Sequence, residues 1–535
     1  MASDSQAEIL IPDSIIPAGT LPPLRQRQMP EPVPLRQMIG PSIILAGLAL
    51  GSGEFILWPY ITFRCGFVFF WACILAVVMQ YFLNMEIMRW TLATGESAVA
   101  GFVRLSRSWA WIFLLLNVLP WMIPAWSKGA AQIIGWLIFG QPTLNADGAV
   151  VAGPYDTYIA IATMLLCGII LTAGPVVYET VEKVQFVLVL LIMVIVIGIA
   201  AWLTVLRPDA IVTQITATLT LGYPNFYPPM DESLTPMALL GALAFAGAGG
   251  TMNLSQSNYI KDKGYGMGIH LGRITSPLTG NEEAISETGY HFPHDEANLA
   301  RWNKWWRAAG LEHFVSFLLT CIICLTLLTL ISYILFYDAS GKLTVDPAKY
   351  KEGLGFVWAE TLRLSELIHP VAKYLFLIMG VAILFTTEFG VLDAASRIST
   401  DLVKLTWLRD NPRWSEGRLY FWLLWGEIFL GSSILVAEQL GYGIDNKTLF
   451  IWTSALNGAV MFLYSGILLY RNRLALPAPI RIPLWRSAIL SFTFLFFGFF
   501  TAWAGWEICG RVYNYLVRQP RVSSSVMEVE ISIRE

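Results

Sequence analysis

The sequence is poor in charge. Asp, Glu, Lys and Arg make up 14% of the 535 residues, against about 25% in a soluble globular chain, while hydrophobic residues make up 56%. Such a chain cannot cover itself with polar side chains, so a lipid bilayer must be part of its solvent. The net charge of −3 excludes an overall basic surface, and we therefore expect no nucleic-acid partner.

Cysteine and histidine are also scarce. The chain has only six cysteines, most of them inside apolar stretches, which excludes a secreted disulfide scaffold. It has five histidines, and the HExxH, GxSxG and GxxxxGK[ST] motifs are missing, which excludes the common metalloprotease, serine hydrolase and P-loop chemistries. We expect no enzymatic activity and no tightly bound cofactor.

Long apolar stretches are abundant. A helix needs about 20 apolar residues to cross a bilayer, and we predict eleven such spans, which makes the chain an all-α integral membrane protein. The predicted spans are 38–60, 66–88, 109–139, 155–173, 179–206, 235–260, 310–336, 368–394, 419–440, 448–470 and 486–510.

The ends differ from this membrane domain, which we place at 37–512. Residues 1–36 contain seven prolines and predict a disordered cytoplasmic arm, and 513–535 predict a polar tail. With the N-terminus inside, the inner segments hold 22 basic residues and the outer loops eight, so the positive-inside rule favours a cytoplasmic N-terminus in the plasma or inner membrane. An odd number of spans then places the C-terminus outside.

The first and sixth spans carry glycine clusters at their centres. Span one contains Gly51, Ser52, Gly53 and Glu54, and span six contains a cluster that begins at Gly247. Residues 48–53 resemble 243–249, which indicates two repeats at 38–206 and 235–470 plus an extra helix at 486–510. Paired interrupted helices at corresponding positions point to the central site of a transporter. Close packing between helices is the simpler interpretation of either glycine cluster alone.

Several motifs occur in the order found in one family. They are Gly40-Pro41; Gly51-Ser52-Gly53-Glu54 in place of Asp-Pro-Gly-Asn; Gln80 with Arg89 and Thr94-Gly95-Glu96; Tyr178 with Glu182-Lys183; and Thr386-Thr387. On these residues the sequence resembles the Nramp family of divalent-metal transporters. The resemblance implies a LeuT-type fold of two inverted five-helix repeats, with helices 1 and 6 broken around an ion site.

The ligands differ from those of the family. Gly51 and Glu54 stand where the family has its Asp and Asn ligands, and Gly250-Thr251-Met252-Asn253 replaces Met-Pro-His. We predict that Glu54 and Asn253 bind the metal directly, within a site listed here in full: Gly51, Ser52, Glu54, Gly247, Thr251, Met252 and Asn253. Oxygen ligands of this kind suit hard cations, and Met252 offers a thioether. Glu54 is equally suited to cap the second half of the broken helix.

Several further ionisable residues lie within predicted spans, where an unpaired charge is costly. Of these, Lys128, Glu388, Asp393 and Glu427 are candidates for a proton or charge relay. Lys128 could pair with Glu54, Glu388 or Asp393, or extend along its stem towards the interface.

We therefore predict a secondary transporter that works by alternating access and moves a divalent cation of the Mg, Mn, Fe or Ca class. The alternative is a carrier of a small organic solute such as an amino acid, with Lys128 as its internal counter-ion.

Overall fold

The structure is a computed structural model, and it describes residues 16, 19, 21–34, 38–145, 149–222, 234–280, 288–346, 350, 353–442 and 446–518. The α-helices are α1 Pro41–Ala49, α2 Trp58–Cys65, α3 Phe70–Thr94, α4 Ala98–Leu105, α5 Ser108–Trp121, α6 Ala125–Phe139, α7 Asp156–Ala173, α8 Val177–Leu206, α9 Asp209–Leu219, α10 Pro236–Ala244, α11 Met252–Lys263, α12 Glu296–His313, α13 Thr320–Phe336, α14 Gly355–Leu367, α15 Pro370–Thr406, α16 Glu416–Ala437, α17 Asn446–Leu474 and α18 Leu484–Arg518.

Shorter elements join these helices. Among the described residues, three π-helical turns cover Gly53–Leu57, Phe314–Leu319 and Glu438–Tyr442, and two 3-10 turns cover Gly266–His270 and Ala478–Ile480. The strands form two pairs: β1 (Arg25–Gln26) runs parallel to β4 (Tyr290–His291), and β2 (Thr143–Leu144) runs antiparallel to β3 (Val150–Val151).

Within the described residues, ten continuous helical stretches are long and apolar enough to cross a membrane. The sixth predicted span is not among the ten because the chain divides it into α10 and α11, neither of which is long enough alone. The seventh is longer than predicted, since α12 continues through a π-helical turn into α13. We call α1 with α2 helix 1, and α10 with α11 helix 6.

The two broken helices pack in equivalent ways. The first half of helix 1, α1, packs against α8, and the first half of helix 6, α10, packs against α17. The second half of each broken helix contacts a helix of the other set of five: α2 packs against α13, and α11 packs against α3. The first half of each broken helix therefore contacts the last helix of its own five, as expected for two related repeats. The repeat boundaries at 38–206 and 235–470 remain predictions.

The outer helices expose large apolar side chains. Val194 of α8 is 62% exposed and Trp506 of α18 is 81% exposed, and many similar side chains surround the bundle. A continuous apolar surface of this kind needs lipid, not water, around it. The chain is an integral, multi-pass membrane protein.

The N-terminal arm differs from the prediction of disorder in its described part. Residues 21–34 lie against the protein, where Leu21, Leu24 and Met29 are buried and β1 pairs with β4. Proline prevents a helix here, but it does not prevent an extended chain from docking. Residues 1–15 and 519–535 lie outside the described residues, and α18 continues to Arg518, past the predicted start of the polar tail.

Candidate functional site

Helix 1 breaks at its centre. The α-helix ends at Ala49, Leu50 has the non-helical dihedrals φ −66° and ψ 67°, and a π-helical turn begins at Gly53. The freed amide of Gly51 donates to the Ala49 carbonyl at 2.6 Å and to Oε2 of Glu54 at 3.2 Å. Glu54 thus satisfies polar backbone that the break would otherwise leave bare in an apolar environment.

Helix 6 breaks over a longer stretch, from Phe245 to Thr251. Gly249 and Gly250 have φ values of +70° and +50°, a left-handed conformation that glycine adopts without steric cost. A Cβ on Gly250 would also lie 1.7 Å from Oδ1 of Asn457 in α17. The positive φ angle and the lack of space for a side chain therefore both require glycine at position 250.

Gln80 of α3 supports the break in helix 6. Its Nε2 donates to the carbonyls of Ala244 (2.8 Å) and Leu243 (3.3 Å), which are left free where α10 ends. Its Oε1 accepts from the amide of Gly249 at 3.2 Å and from Nδ2 of Asn253 at 3.3 Å. One buried amide side chain thus replaces the missing helical hydrogen bonds on both sides of the break.

A small closed cavity lies between the two breaks. Its volume of about 10 Å³ has room for roughly one water molecule. It is lined by Leu48, Ala49, Gly51, Ser52, Gly53, Trp121, Trp126, Phe245, Gly247, Ala248, Met252, Thr387 and Val391. All these residues are buried, so the cavity lies in the interior of the helix bundle. None of these described lining residues carries a charge.

Two tryptophans form one wall of the cavity. Nε1 of Trp126 donates to Oγ of Ser52 at 3.2 Å, and Nε1 of Trp121 donates to Oγ1 of Thr251 at 2.7 Å. The centroid of the Phe245 ring is 6.0 Å from the centroids of both indoles. Both hydroxyls predicted as ligands therefore accept hydrogen bonds from aromatic side chains, which link helices 1 and 6 to α5 and α6.

Only part of the predicted site lines the cavity. Gly51, Ser52, Gly247 and Met252 do so, whereas Glu54, Thr251 and Asn253 are not among its lining residues. The sequence analysis did not include Phe245, Leu48 and Val391 in the site. The similarity between residues 48–53 and 243–249 was the one signal that could have placed Phe245 and Leu48 there.

The two predicted metal ligands point elsewhere. Nδ2 of Asn253 donates to the Tyr464 hydroxyl at 3.0 Å, because Asn253 lies roughly 100° around α11 from Met252. The carboxylate of Glu54 is fully buried, and its Oε1 has no hydrogen-bond partner within the part of the chain that the structure describes. The expected shell of Glu54 and Asn253 is thus not assembled in this conformation.

The four relay candidates occupy separate places. Lys128 forms an ion pair with Glu438, the residue that follows α16, a partner that was not expected from the sequence. Glu388 accepts from the Ser127 amide at 3.2 Å, and Glu427 accepts from Oγ of Ser396 at 3.3 Å. A role in proton transfer remains a prediction.

Asp393 belongs to a buried ion network. Nε of Arg397 is 2.9 Å from both of its carboxylate oxygens, and the hydroxyls of Tyr420 and Tyr259 donate to it at 2.7 and 3.0 Å. Arg397 also pairs with Asp262 of α11, so the network joins helix 6 to α15 and α16. Partners on every side favour a role for Asp393 in holding these helices together.

The sequence matches no known family description and no curated protein. The fold, however, is similar to solved structures of the Eremococcus coleocola manganese transporter. A point mutant of that protein matches with a TM-score of 0.63 and 13% identity over 98% of this chain and 96% of that one. A second mutant and a complex with an aromatic bis-isothiourea compound each match with a TM-score of 0.61 and 13% identity over 95% of this chain and 94% of theirs.

At this level of identity the likeness shows the fold and no more. The chain has an all-α membrane fold with helices 1 and 6 broken, as the resemblance predicted, and this fold is similar to that of the manganese transporter.

Proposed function

We propose that the protein is a secondary membrane transporter that carries its substrate through the closed cavity by alternating access. The supporting observation is that the two breaks face each other around this cavity, with the polar backbone of both helices held by Glu54 and Gln80. Breaks of this kind persist in a membrane where they border a substrate site. An occluded cavity is the intermediate expected between two open states.

The proposed substrate is a divalent metal cation. The cavity has room for about one water molecule, which suits a dehydrated ion. Met252, which has a thioether, and Ser52 and Thr387, which have hydroxyls, are among its lining residues, together with residues of both breaks. The side-chain oxygen Oε2 of Glu54 accepts from the amide of Gly51, a lining residue, so this acidic group lies one hydrogen bond from the cavity. The manganese transporter with the same fold supports the same class of substrate.

The organic-solute alternative has less support. Lys128, its proposed counter-ion, is engaged with Glu438 and is not among the residues that line the cavity. The cavity is also far smaller than an amino acid. No contact of the described residues favours this alternative over a metal ion.

The test is metal uptake by purified protein in lipid vesicles that contain a metal-sensitive dye. We expect saturable uptake of Mn²⁺, Mg²⁺ or Ca²⁺ by the unaltered protein, and its loss in Ala248→Leu, because Ala248 lines the cavity and a larger side chain fills it. The matched control is Ala201→Leu, at an exposed position of α8, which should transport normally. Absence of uptake of all three ions by the unaltered protein would contradict the proposal.

A further inference from the structure

An extended segment crosses the face of the protein at which helix 1 begins. We call residues 21–34 the strap. Its strand β1 pairs in parallel with β4, and the amide of Arg27 donates to the carbonyl of His291 at 2.9 Å. The β4 strand belongs to the long connection between helix 6 and α12. The strap is therefore tied by its backbone to the segment that follows helix 6.

Side chains from two other elements hold the strap along its length. Nη1 of Arg104 in α4 donates to the carbonyl of Pro22 at 2.9 Å. In α12, Nε1 of Trp305 donates to the carbonyl of Pro30 at 2.9 Å, and Oδ1 of Asn298 accepts from the amide of Met29 at 2.8 Å. Several backbone amides and carbonyls of the strap thus have specific hydrogen-bond partners, which indicates one defined docked conformation.

Apolar burial adds to these hydrogen bonds. Leu24 and Met29 are 2% and 1% exposed, and they pack in one cluster with Met267 and Trp305. Burial of these two side chains favours the docked conformation.

The strap is joined to helix 1 by a short link. Four Cα steps separate Pro34 from Met38, so the two residues can be at most about 14 Å apart. The start of helix 1 is also held by its own contacts: the Tyr265 hydroxyl donates to the Met38 carbonyl, and Glu312 accepts from the amides of Gly40 (3.4 Å) and Ser42 (3.2 Å). While the strap is docked, α1 cannot move far.

The end of α1 forms part of the cavity wall. Leu48 and Ala49 line the cavity, and α1 packs against α8. A movement of α1 away from α8 would therefore displace this part of the wall. We propose that the strap is an autoinhibitory restraint that must undock before helix 1 can open the cavity to this face. This proposal rests on the transport function proposed above.

The experiment locks the strap reversibly. Gln26→Cys and His291→Cys place two thiols at paired positions of β1 and β4, in a background with the exposed Cys509 replaced by Ser. A cleavable thiol cross-linker joins them. The control pair, Thr143→Cys with Val151→Cys, locks the paired strands β2 and β3, which do not connect to helix 1.

We expect cross-linking of the strap to abolish metal uptake and cleavage of the linker to restore it, because a step that cannot occur stops every turnover. The control should transport equally in both states. Unchanged uptake by the cross-linked strap would overturn the proposal, whereas absence of uptake before cross-linking would contradict the transport function itself.

A second variant tests the opposite change. Leu24→Asp places a charge in the buried cluster beneath the strap and should release it. We expect faster initial uptake at saturating metal, with an unchanged melting temperature for the membrane domain. Uptake equal to or slower than that of the unaltered protein would overturn the proposal even if the cysteine pair does not fold.

Discussion

The α-carbon of Gly53 lies against the carbonyl oxygen of Phe245: a Cβ added to Gly53 would be 1.4 Å from that oxygen. The two broken helices therefore touch backbone to backbone at their centres. This contact closes one side of the cavity, and it leaves no space for a side chain at position 53.

Replacement of Gly53 tests this contact. Gly53→Ala should destabilise the protein by about 3 kcal/mol or more, because the obstacle is backbone and cannot rotate away. Thermal unfolding in detergent measures the change, and metal uptake should fall with it. Gly198→Ala is the control, since a Cβ there would meet no described atom within 4 Å. Equal melting temperatures for the two variants would show that the helices do not meet as described.

Two adjacent threonines have different surroundings, so their variants distinguish a role in the cavity from a role in packing. Thr387 lines the cavity, whereas the hydroxyl of Thr386 donates to Oε1 of Gln185 in α8. We expect Thr387→Val to raise the KM for metal uptake about 2- to 10-fold, or about 0.4–1.4 kcal/mol, because it removes an oxygen atom from a residue of the cavity wall. Thr386→Val should lower the melting temperature and leave KM unchanged. The same KM for both variants would show that Thr387 does not contribute to the substrate site.

The charge of Glu54 can be removed without changing its shape. Glu54→Gln retains an oxygen that can accept from the Gly51 amide, but it cannot ionise to balance the charge of a bound cation. Uptake of divalent metal should fall about tenfold or more, which corresponds to at least ~1.4 kcal/mol. Glu360→Gln is the control, because Glu360 is equally buried but lies in α14, away from the cavity. Full divalent uptake by Glu54→Gln would restrict Glu54 to capping the break.

Docking of the strap should depend on pH through His291. Burial, with a smaller effect of the neighbouring His294, lowers the pKa of His291 to about 3. In the released state this pKa returns to about 6.5, so the released state binds more protons below that value. Docking is therefore complete above about pH 6.5 and weakens progressively as the pH falls towards 3.

Tryptic cleavage at Arg25 and Arg27 measures this effect. Cleavage should be slow at pH 7.5 and faster at pH 5.5, relative to an unfolded peptide of the same sequence at each pH. His291→Gln keeps a polar side chain but cannot titrate, so its relative cleavage rate should change less between the two pH values. An equal pH dependence in this variant would assign the effect to another group, such as His270, which lies 3.2 Å from Arg27 of the strap.

Much of the architecture could be predicted from local patterns. Apolar length located the membrane helices, and the clusters at Gly51–Gly53 and Gly247–Gly250 located both breaks. These features depend on residues close together in the chain. Docking of the strap was missed because it depends on Arg104, His291 and Trp305, which lie far from it in sequence.

The site itself was only partly predictable. A polar residue next to a glycine cluster was taken to face the cavity, yet Asn253 faces Tyr464 and Glu54 turns back to the Gly51 amide. Which way a side chain points depends on the rotation of each half-helix against its neighbours. That rotation is set by packing with α3 and α17, and no pattern within helix 6 records it.

The amino-acid sequence alone determined that the chain is a membrane protein, which segments cross the membrane, and at which residues two of the helices are interrupted. These features depend on hydropathy and glycine content, which act locally. Only the tertiary structure decided that these two interruptions meet, that Trp121, Trp126 and Phe245 close the space between them, and that Gln80 satisfies the backbone they expose. Those outcomes follow from contacts between distant segments, whose geometry depends on the packing of the whole bundle.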